Sequence, residues 1–401
     1  MTELHLAVAL DGAGWHPAAW REPNARPREL FTVGYWRELV AEAERGLLDF
    51  VTIEDALGMQ SARFHLPDDR TDQVRGRLDA VLLASRLAPL TTHLGLVPTT
   101  NVTHTEPFHV AMGIATLDYV SHGRAGWRPQ VSSRAADAAH FGRRETPLLS
   151  PTDLSGPEAI AAALAELHRE AGDVVEVARR LWDSWEDDAE IRDAATERFI
   201  DRDKLHHINF RGEHFSVRGP AITPRPPQGQ PPVTVLAHAS VPYELAAADA
   251  DIVYVTPHSR ADVTRILGEV DAARAKTGRP ADWPLAVFGE LLVVLDDQPG
   301  AAAGRLHRLD TLDGEALTSD AEIFTGTPGE LADLMVDWKS AGLNGFRLRP
   351  AVLPDDLQAI CRDLVPQLQS RAGFRTAYEA TTLRGMLGLA RPISRFADAS
   401  Q

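Results

Sequence analysis

Cys361 is the only cysteine in 401 residues, which excludes an intrachain disulfide and any cluster of thiolate metal ligands. Basic side chains are also in deficit: 41 Lys and Arg stand against 57 Asp and Glu, for a formal charge of −16. Nucleic acid and anionic membrane surfaces need local cationic excess, so neither is expected as a partner. An anionic cofactor is still admitted, because backbone N–H groups and a few arginines can hold one. No apolar run is long enough to cross a bilayer, and the apolar start Leu4 to Leu10 lacks the basic lead-in of a signal peptide. A cytoplasmic protein is expected.

Several motifs are missing as well. Gly12-Ala13-Gly14 lacks the third glycine of G-x-G-x-x-G, and there is no G-K-[ST] phosphate loop, no H-E-x-x-H and no G-x-S-x-G. The chain therefore shows no nicotinamide-binding domain, zinc site or serine nucleophile. His206, His207 and His214 read as an exposed loop rather than metal ligands, since adjacent histidines point different ways and no organised carboxylate accompanies them. No metal is expected.

What is present is a regular alternation. Between His93 and Val131 a short apolar run (93–97) meets the polar cluster Thr99, Thr100, Asn101 and His104. Glu106-Pro107 then opens a helix with Phe108, Met112, Ala115 and Tyr119 on one face, stopped near Gly123. A further strand is expected at 124–127. Other strands are expected at 4–10, 49–53, 233–236, 251–256, 285–295 and 345–348, with helices between them. Eight strands alternating with helices favour an α/β fold of the (β/α)8 TIM-barrel type with insertions over an open doubly wound sheet. Residues 1–401 read as a single domain. Its main excursion, at about 183–232, keeps Phe199, Phe210, Phe215 and Val217 as apolar anchors, and 60–76 is a smaller insertion.

In such a barrel the carboxyl ends of the strands bind ligands. Glu54-Asp55 ends a strand and reads equally as an acid/base or ligand-positioning pair and as a helix cap. Thr99, Thr100 and Asn101 either meet a polar ring edge or satisfy loop backbone. His16 and His104 lie on carboxyl-side loops and are the candidate general acids or bases; His109, inside a helix, is packed or exposed. Trp182 and Trp185, followed by Glu186-Asp187-Asp188, read as a helix end with a solvated face and carry no chemistry.

Nine phrases, in order, carry a resemblance that spans nearly the whole chain. They are His16–Arg21 (HPAAWR), Ala43–Phe50 (AERGLLDF), Glu106–Ala111 (EPFHVA), Thr116–Trp127 (TLDYVSHGRAGW), Leu181–Ala189 (LWDSWEDDA), Arg211–Pro220 (RGEHFSVRGP), Pro224–Gly229 (PRPPQG), Thr325–Asp333 (TGTPGELAD) and Phe374–Pro392 (FRTAYEATTLRGMLGLARP). In these the chain resembles the bacterial-luciferase-like flavin monooxygenases, in the branch of the nitrilotriacetate, dibenzothiophene-sulfone and long-chain alkane monooxygenases.

The resemblance implies a barrel that binds FMN at its carboxyl face. Reduced FMN comes from a separate NAD(P)H:flavin reductase, and one atom of O2 goes to a small organic substrate. It assigns Asp55, Thr99, His168 and Ser240 to the cofactor, sets His16 and His104 toward the substrate, and implies a homo-oligomer. It also marks departures. Glu54 replaces a small residue, Arg128 follows Trp127 where the family has Asn, His238 replaces a glycine, and Leu164, Leu167 and His168 fall where the family has His and Arg-Tyr. Arg128, Arg143 or Arg144 is the expected substitute for the lost phosphate contact. Two other readings are a deazaflavin (F420)-dependent oxidoreductase on the same barrel and a flavin-free, non-catalytic binding homologue. Residues 57–76 and 183–232 are expected to shape the pocket, and their composition specifies no substrate.

Overall fold

Short β-branched and leucine-rich runs bounded by polar residues favour buried parallel strands, which need helices to cover both faces. The computed structural model, which describes residues 4–60, 68–143 and 157–397, bears this out. Its strands are β1 (His5–Leu10), β2 (Phe50–Ile53), β3 (Gly95–Asn101), β4 (Arg128–Gln130), β5 (Thr234–Leu236), β6 (Ile252–Val255), β7 (Ala286–Leu295) and β8 (Gly345–Pro350). All pair in parallel, in the order β4-β3-β2-β1-β8-β7-β6-β5. A bridge between Trp127 and Val233, with Trp127 N–H donating to Pro232 O at 2.8 Å, closes the ring between β4 and β5. The fold is a (β/α)8 barrel.

Around it run α1 (Val33–Arg45), α2 (Ala80–Leu87), α3 (Pro107–Val120), α4 (Pro157–Asp183), α5 (Ser240–Asp249), α6 (Arg260–Thr277), α7 (Ala301–Asp313) and α8 (Pro328–Ser340). Asp79 caps α2, its carboxylate accepting from Leu82 N–H, and Thr327 with Glu330 forms a capping box on α8. No helix among the described residues is long and apolar enough to cross a membrane.

The structure moves some expected boundaries. β3 runs on to Asn101, because Thr99, Thr100 and Asn101 pair with Arg128, Pro129 and Gln130, so the fourth strand lies at 128–130 instead of 124–127. α7 and a ninth parallel strand, Glu322–Gly326, were not expected; that strand pairs with the upper half of β7. The excursion folds as two small hairpins, Glu190–Asp193 with Arg198–Ile200 and Phe210–Arg211 with Ser216–Val217. Phe210 is buried and Phe215 and Val217 pack on the core, but Phe199 is 65% exposed and anchors nothing. Trp182 is buried rather than solvated, its indole N–H donating to Ala111 O at 3.0 Å.

Strand alternation sorts the barrel interior into two layers. The amino-terminal layer is apolar: Ala7, Phe50, Val97, Tyr254 and Phe288 cluster with Leu383, Met386 and Leu387 of the carboxyl-terminal segment, which seals that end. Two residues further along come Ala9, Thr52, Thr99, Thr256 and Glu290, so the lining turns polar there.

Candidate functional site

Side chains from β2, β3, β4, β6, β7 and β8, and from the loops that follow β1, β2, β5 and β6, meet in a network at the carboxyl-end mouth of the barrel. Arg347 of β8 is fully buried and holds Glu290 of β7 and Glu54 after β2, with its Nε–H on Thr52 Oγ1 at 2.9 Å. Arg128 of β4 donates to Glu54 Oε2 at 2.6 Å and to Thr99 Oγ1 of β3 at 3.0 Å. Arg349 bridges Glu290 and Asp320, reaching Asp320 Oδ1 at 2.5 Å. Asp320 meets His238 Nε2 at 3.1 Å, and His238 Nδ1 meets Thr256 Oγ1 at 2.9 Å, which carries the chain of contacts past β5 and β6. The guanidinium of Arg347 lies 4.8 Å from the Tyr254 ring centre, and that of Arg349 4.8 Å from Trp15. Trp15 gets there through Gly14, whose φ of +126° and close pass to Ala351 leave no room for a Cβ.

Three arginines and three carboxylates make the network neutral. Burial alone would raise the pKa of Glu54, but Arg128, Arg347, Arg349 and Arg77 outweigh it and bring the carboxyl down to about 2. Burial opposes the charge on Arg347 too, and Glu290 and Glu54 more than compensate. Asp320 is likewise held well below the usual carboxylate range, burial being outweighed by His238 and Arg349.

The residues singled out from sequence fall in different places. Glu54, Thr99 and Arg128 come together directly. Asp55 accepts from Ala56 N–H at 2.7 Å and from Ala80 N–H at 2.9 Å, so it ties its loop to the start of α2; burial raises its pKa. Thr100 Oγ1 takes the Trp127 indole N–H at 2.7 Å, and Asn101 Oδ1 takes the N–H groups of Thr103 and His104. The His104 ring stacks on Phe141 at 5.6 Å. His16 is buried: Nδ1 accepts from Ala18 N–H at 3.0 Å, which leaves Nε2–H to donate to Asp310 of α7 at 3.1 Å. His168 Nδ1 stays within α4, on Leu164 O at 2.7 Å, and burial lowers its pKa.

Ser240 is exposed at the start of α5, behind Ala239, which has no side-chain cap to offer. Arg143 pairs with Glu106 at an exposed site, and Arg144 lies outside the described residues. Of the histidines read as an exposed loop, His206 meets Glu186 and His207 meets Gly219 O. His214 groups with Glu166 and Glu213, where Glu166 already pairs with Arg169 and His214, so carboxylate partners the sequence did not reveal are there.

In the flavin-free protein the side chains assigned to the ring bond one another or the backbone. The Thr99 hydroxyl is occupied by Arg128, and the Asp55 carboxylate by backbone N–H groups. A cavity beside Glu54, reaching Asp11, Gly12, Ile53 and Arg77, holds ≈ 10 Å³. That is about room for one water, and Leu30, Trp36, Val74 and Leu83 also line it, so it lies toward α1 and α2 and shares only Glu54 with the network. At the rim α5 opens with the N–H groups of Ser240 and Val241 and no side-chain cap, while Pro242 has no N–H and that of Tyr243 donates to Ala239 O at 3.0 Å. Glu290, Arg347, Arg349 and Asp320 escaped the sequence reading. Their signal was a Glu inside the apolar run of β7 and two arginines two apart in β8, both at inward positions of buried strands.

Residues 13–316 match the family described as luciferase-like monooxygenase. The chain is 31% identical over 457 residues to N-acetyl-S-(2-succino)cysteine monooxygenase of Bacillus subtilis (strain 168), covering 98% of each. It is 31% identical over 464 residues to nitrilotriacetate monooxygenase component A of Aminobacter aminovorans, covering 99% of each. Among solved structures, the EDTA monooxygenase from Chelativorans sp. BNC1 superimposes with a TM-score of 0.80 at 22% identity, covering 97% of this chain and 99% of the other, and shares the fold. The family model spans most of the chain, and both relatives align from end to end at 31% identity. This chain therefore belongs to the luciferase-like monooxygenase family and is an oxidoreductase of the monooxygenase kind.

Proposed function

We propose that the protein is the oxygenase component of a two-component system in which a separate NAD(P)H-dependent reductase supplies reduced FMN. The system places one atom of O2 on a small organic substrate. The observation that carries this reading is the end-to-end match to relatives named as monooxygenases, one of them as component A. In this reading the protein works in the cytoplasm as a homo-oligomer, and residues 1–401 act as one barrel domain.

The chain's own residues have distinct parts. His104 is the substrate-side histidine, on the turn that Asn101 holds. His16 acts through α7, since both its ring nitrogens are committed to the scaffold. The test combines the protein with a flavin reductase, NADH, FMN and ¹⁸O2, using nitrilotriacetate and N-acetyl-S-(2-succino)cysteine as first probes and a panel of amines, thioethers and sulfones after them. Substrate-dependent oxygen uptake above the reductase background, with one ¹⁸O in the product, is expected. Uptake that no compound raises above that background would sink the reading.

A further inference from the structure

We infer that Glu54 and Arg128 latch the mouth of this barrel in the flavin-free protein and must part before a flavin ring enters. The inference deepens the reading above and rests on it for FMN as the ring to be admitted. Glu54 and Arg128 face each other across the mouth at 2.6 Å, with side-chain exposures of 8% and 5%. Arg128 also donates to the Thr99 hydroxyl oxygen, so one guanidinium nitrogen ties together the carboxyl ends of β2, β3 and β4. Glu54 is held a second time, by Arg347, which is anchored on Glu290 and Thr52. A ring entering here must part charged hydrogen bonds between nearly buried side chains. Arg128 Nε–H is already buried without an acceptor among the described residues, so it is a donor left over for an incoming polar group once the pair parts.

Arithmetic on the charges suggests the variant that opens the site. Arg128, Arg347 and Arg349 balance Glu54, Glu290 and Asp320, so removing Glu54 and Arg128 together leaves two of each sign. In Glu54→Ala/Arg128→Asn, Arg347 keeps Glu290 and Thr52, and the mouth gains the volume of two long side chains.

The experiment titrates oxidised FMN by fluorescence quenching, and photoreduced FMN by anaerobic ultrafiltration, into the full chain and the double variant. Circular dichroism confirms that both are folded. The wild type is expected to bind both forms only weakly, at roughly 100 μM or above, because the pair must part first, and the double variant to bind roughly 100-fold more tightly. Should the double variant not fold, Arg128→Asn alone, which leaves Glu54 on Arg347, is expected to gain on the order of 10-fold by the same reasoning. Low-micromolar binding of either flavin by the wild type overturns the inference. So does a folded variant that binds no better than the wild type. Failure of the oxygenase reading shows separately, as missing substrate-dependent oxygen uptake, and does not alter these binding curves.

Discussion

At Glu54 two large effects oppose each other, and the result sets how the protein responds to acid. Burial disfavours the carboxylate, but the guanidiniums around it win and hold its pKa at about 2 against an ordinary 4.5. A carboxyl depressed by folding stabilises the native state fully above its unfolded value, and that contribution is lost as pH falls from about 4.5 toward 2. In Glu54→Gln the three arginines keep only two counter-charges, and breaking a buried pair in this way costs about 3–5 kcal/mol near neutrality. The penalty shrinks as pH falls through that window, because the wild type is losing the same charge. Urea unfolding of both proteins between pH 7 and pH 3 checks this: the two stability curves should converge on the acid side, and a constant gap would contradict the assignment. The sequence alone placed Glu54, Thr99 and Arg128 at the mouth. It did not show that they would spend their hydrogen bonds on one another, because that depends on which side chains of β7 and β8 arrive between them.

Among the elements, α7 is the one the sequence did not announce. Its face is weakly apolar, and only Ala302 and Leu309 are buried, so no helical stripe stands out. Polar ties hold it instead: His16 to Asp310, Glu22 to Arg308, and Arg70 to Asp313 at 2.9 Å. These partners are 243 to 294 residues apart in sequence, beyond the reach of any local pattern. Seven of the eight barrel strands, by contrast, were legible as apolar runs between polar boundaries, whereas β4, Arg128-Pro129-Gln130, is polar and lay beyond the expected 124–127. The strand Glu322–Gly326 was not legible, being half-exposed along its whole length.

His16 gives the test of how α7 is held. Its Nδ1 accepts a backbone N–H, so the ring is neutral, and burial lowers its pKa in agreement, with Asp310 pulling the other way. His16→Asn keeps an acceptor near Ala18 but cannot reach Asp310, and should cost about 0.5–1.5 kcal/mol. His16→Phe leaves both partners unsatisfied and should cost about 1–3 kcal/mol for each buried group. Hydrogen exchange should rise across 301–313 in both variants, and at Ala18 only in the second. Unchanged exchange in α7 with lost turnover would instead place His16 on the substrate.

Over the whole molecule the barrel separates what stabilises from what acts, as (β/α)8 proteins do at their two faces. The ionic layer fills the carboxyl end. The amino end is sealed by the segment carrying Leu383, Met386 and Leu387, pinned from outside by Arg375 on Asp49 at 2.6 Å and Arg384 on Asp251 at 3.2 Å. Leu383 fits only because glycine lines the barrel there: a Cβ on Gly95 would lie 2.7 Å from its Cδ1, and one on Gly126 3.1 Å from its Cδ2. A side chain gripped by rigid strand backbone leaves a cavity that its surroundings cannot collapse to fill. Leu383→Ala should therefore fall in the upper part of the range for such truncations, about 2–5 kcal/mol. Because the lesion lies at the end away from Glu54 and Arg128, it should lower the urea midpoint and the melting temperature while leaving flavin titrations of the folded protein unchanged. If Leu383→Ala altered flavin binding with the protein fully folded, the two ends of the barrel would be mechanically coupled, and the separation argued here would not hold.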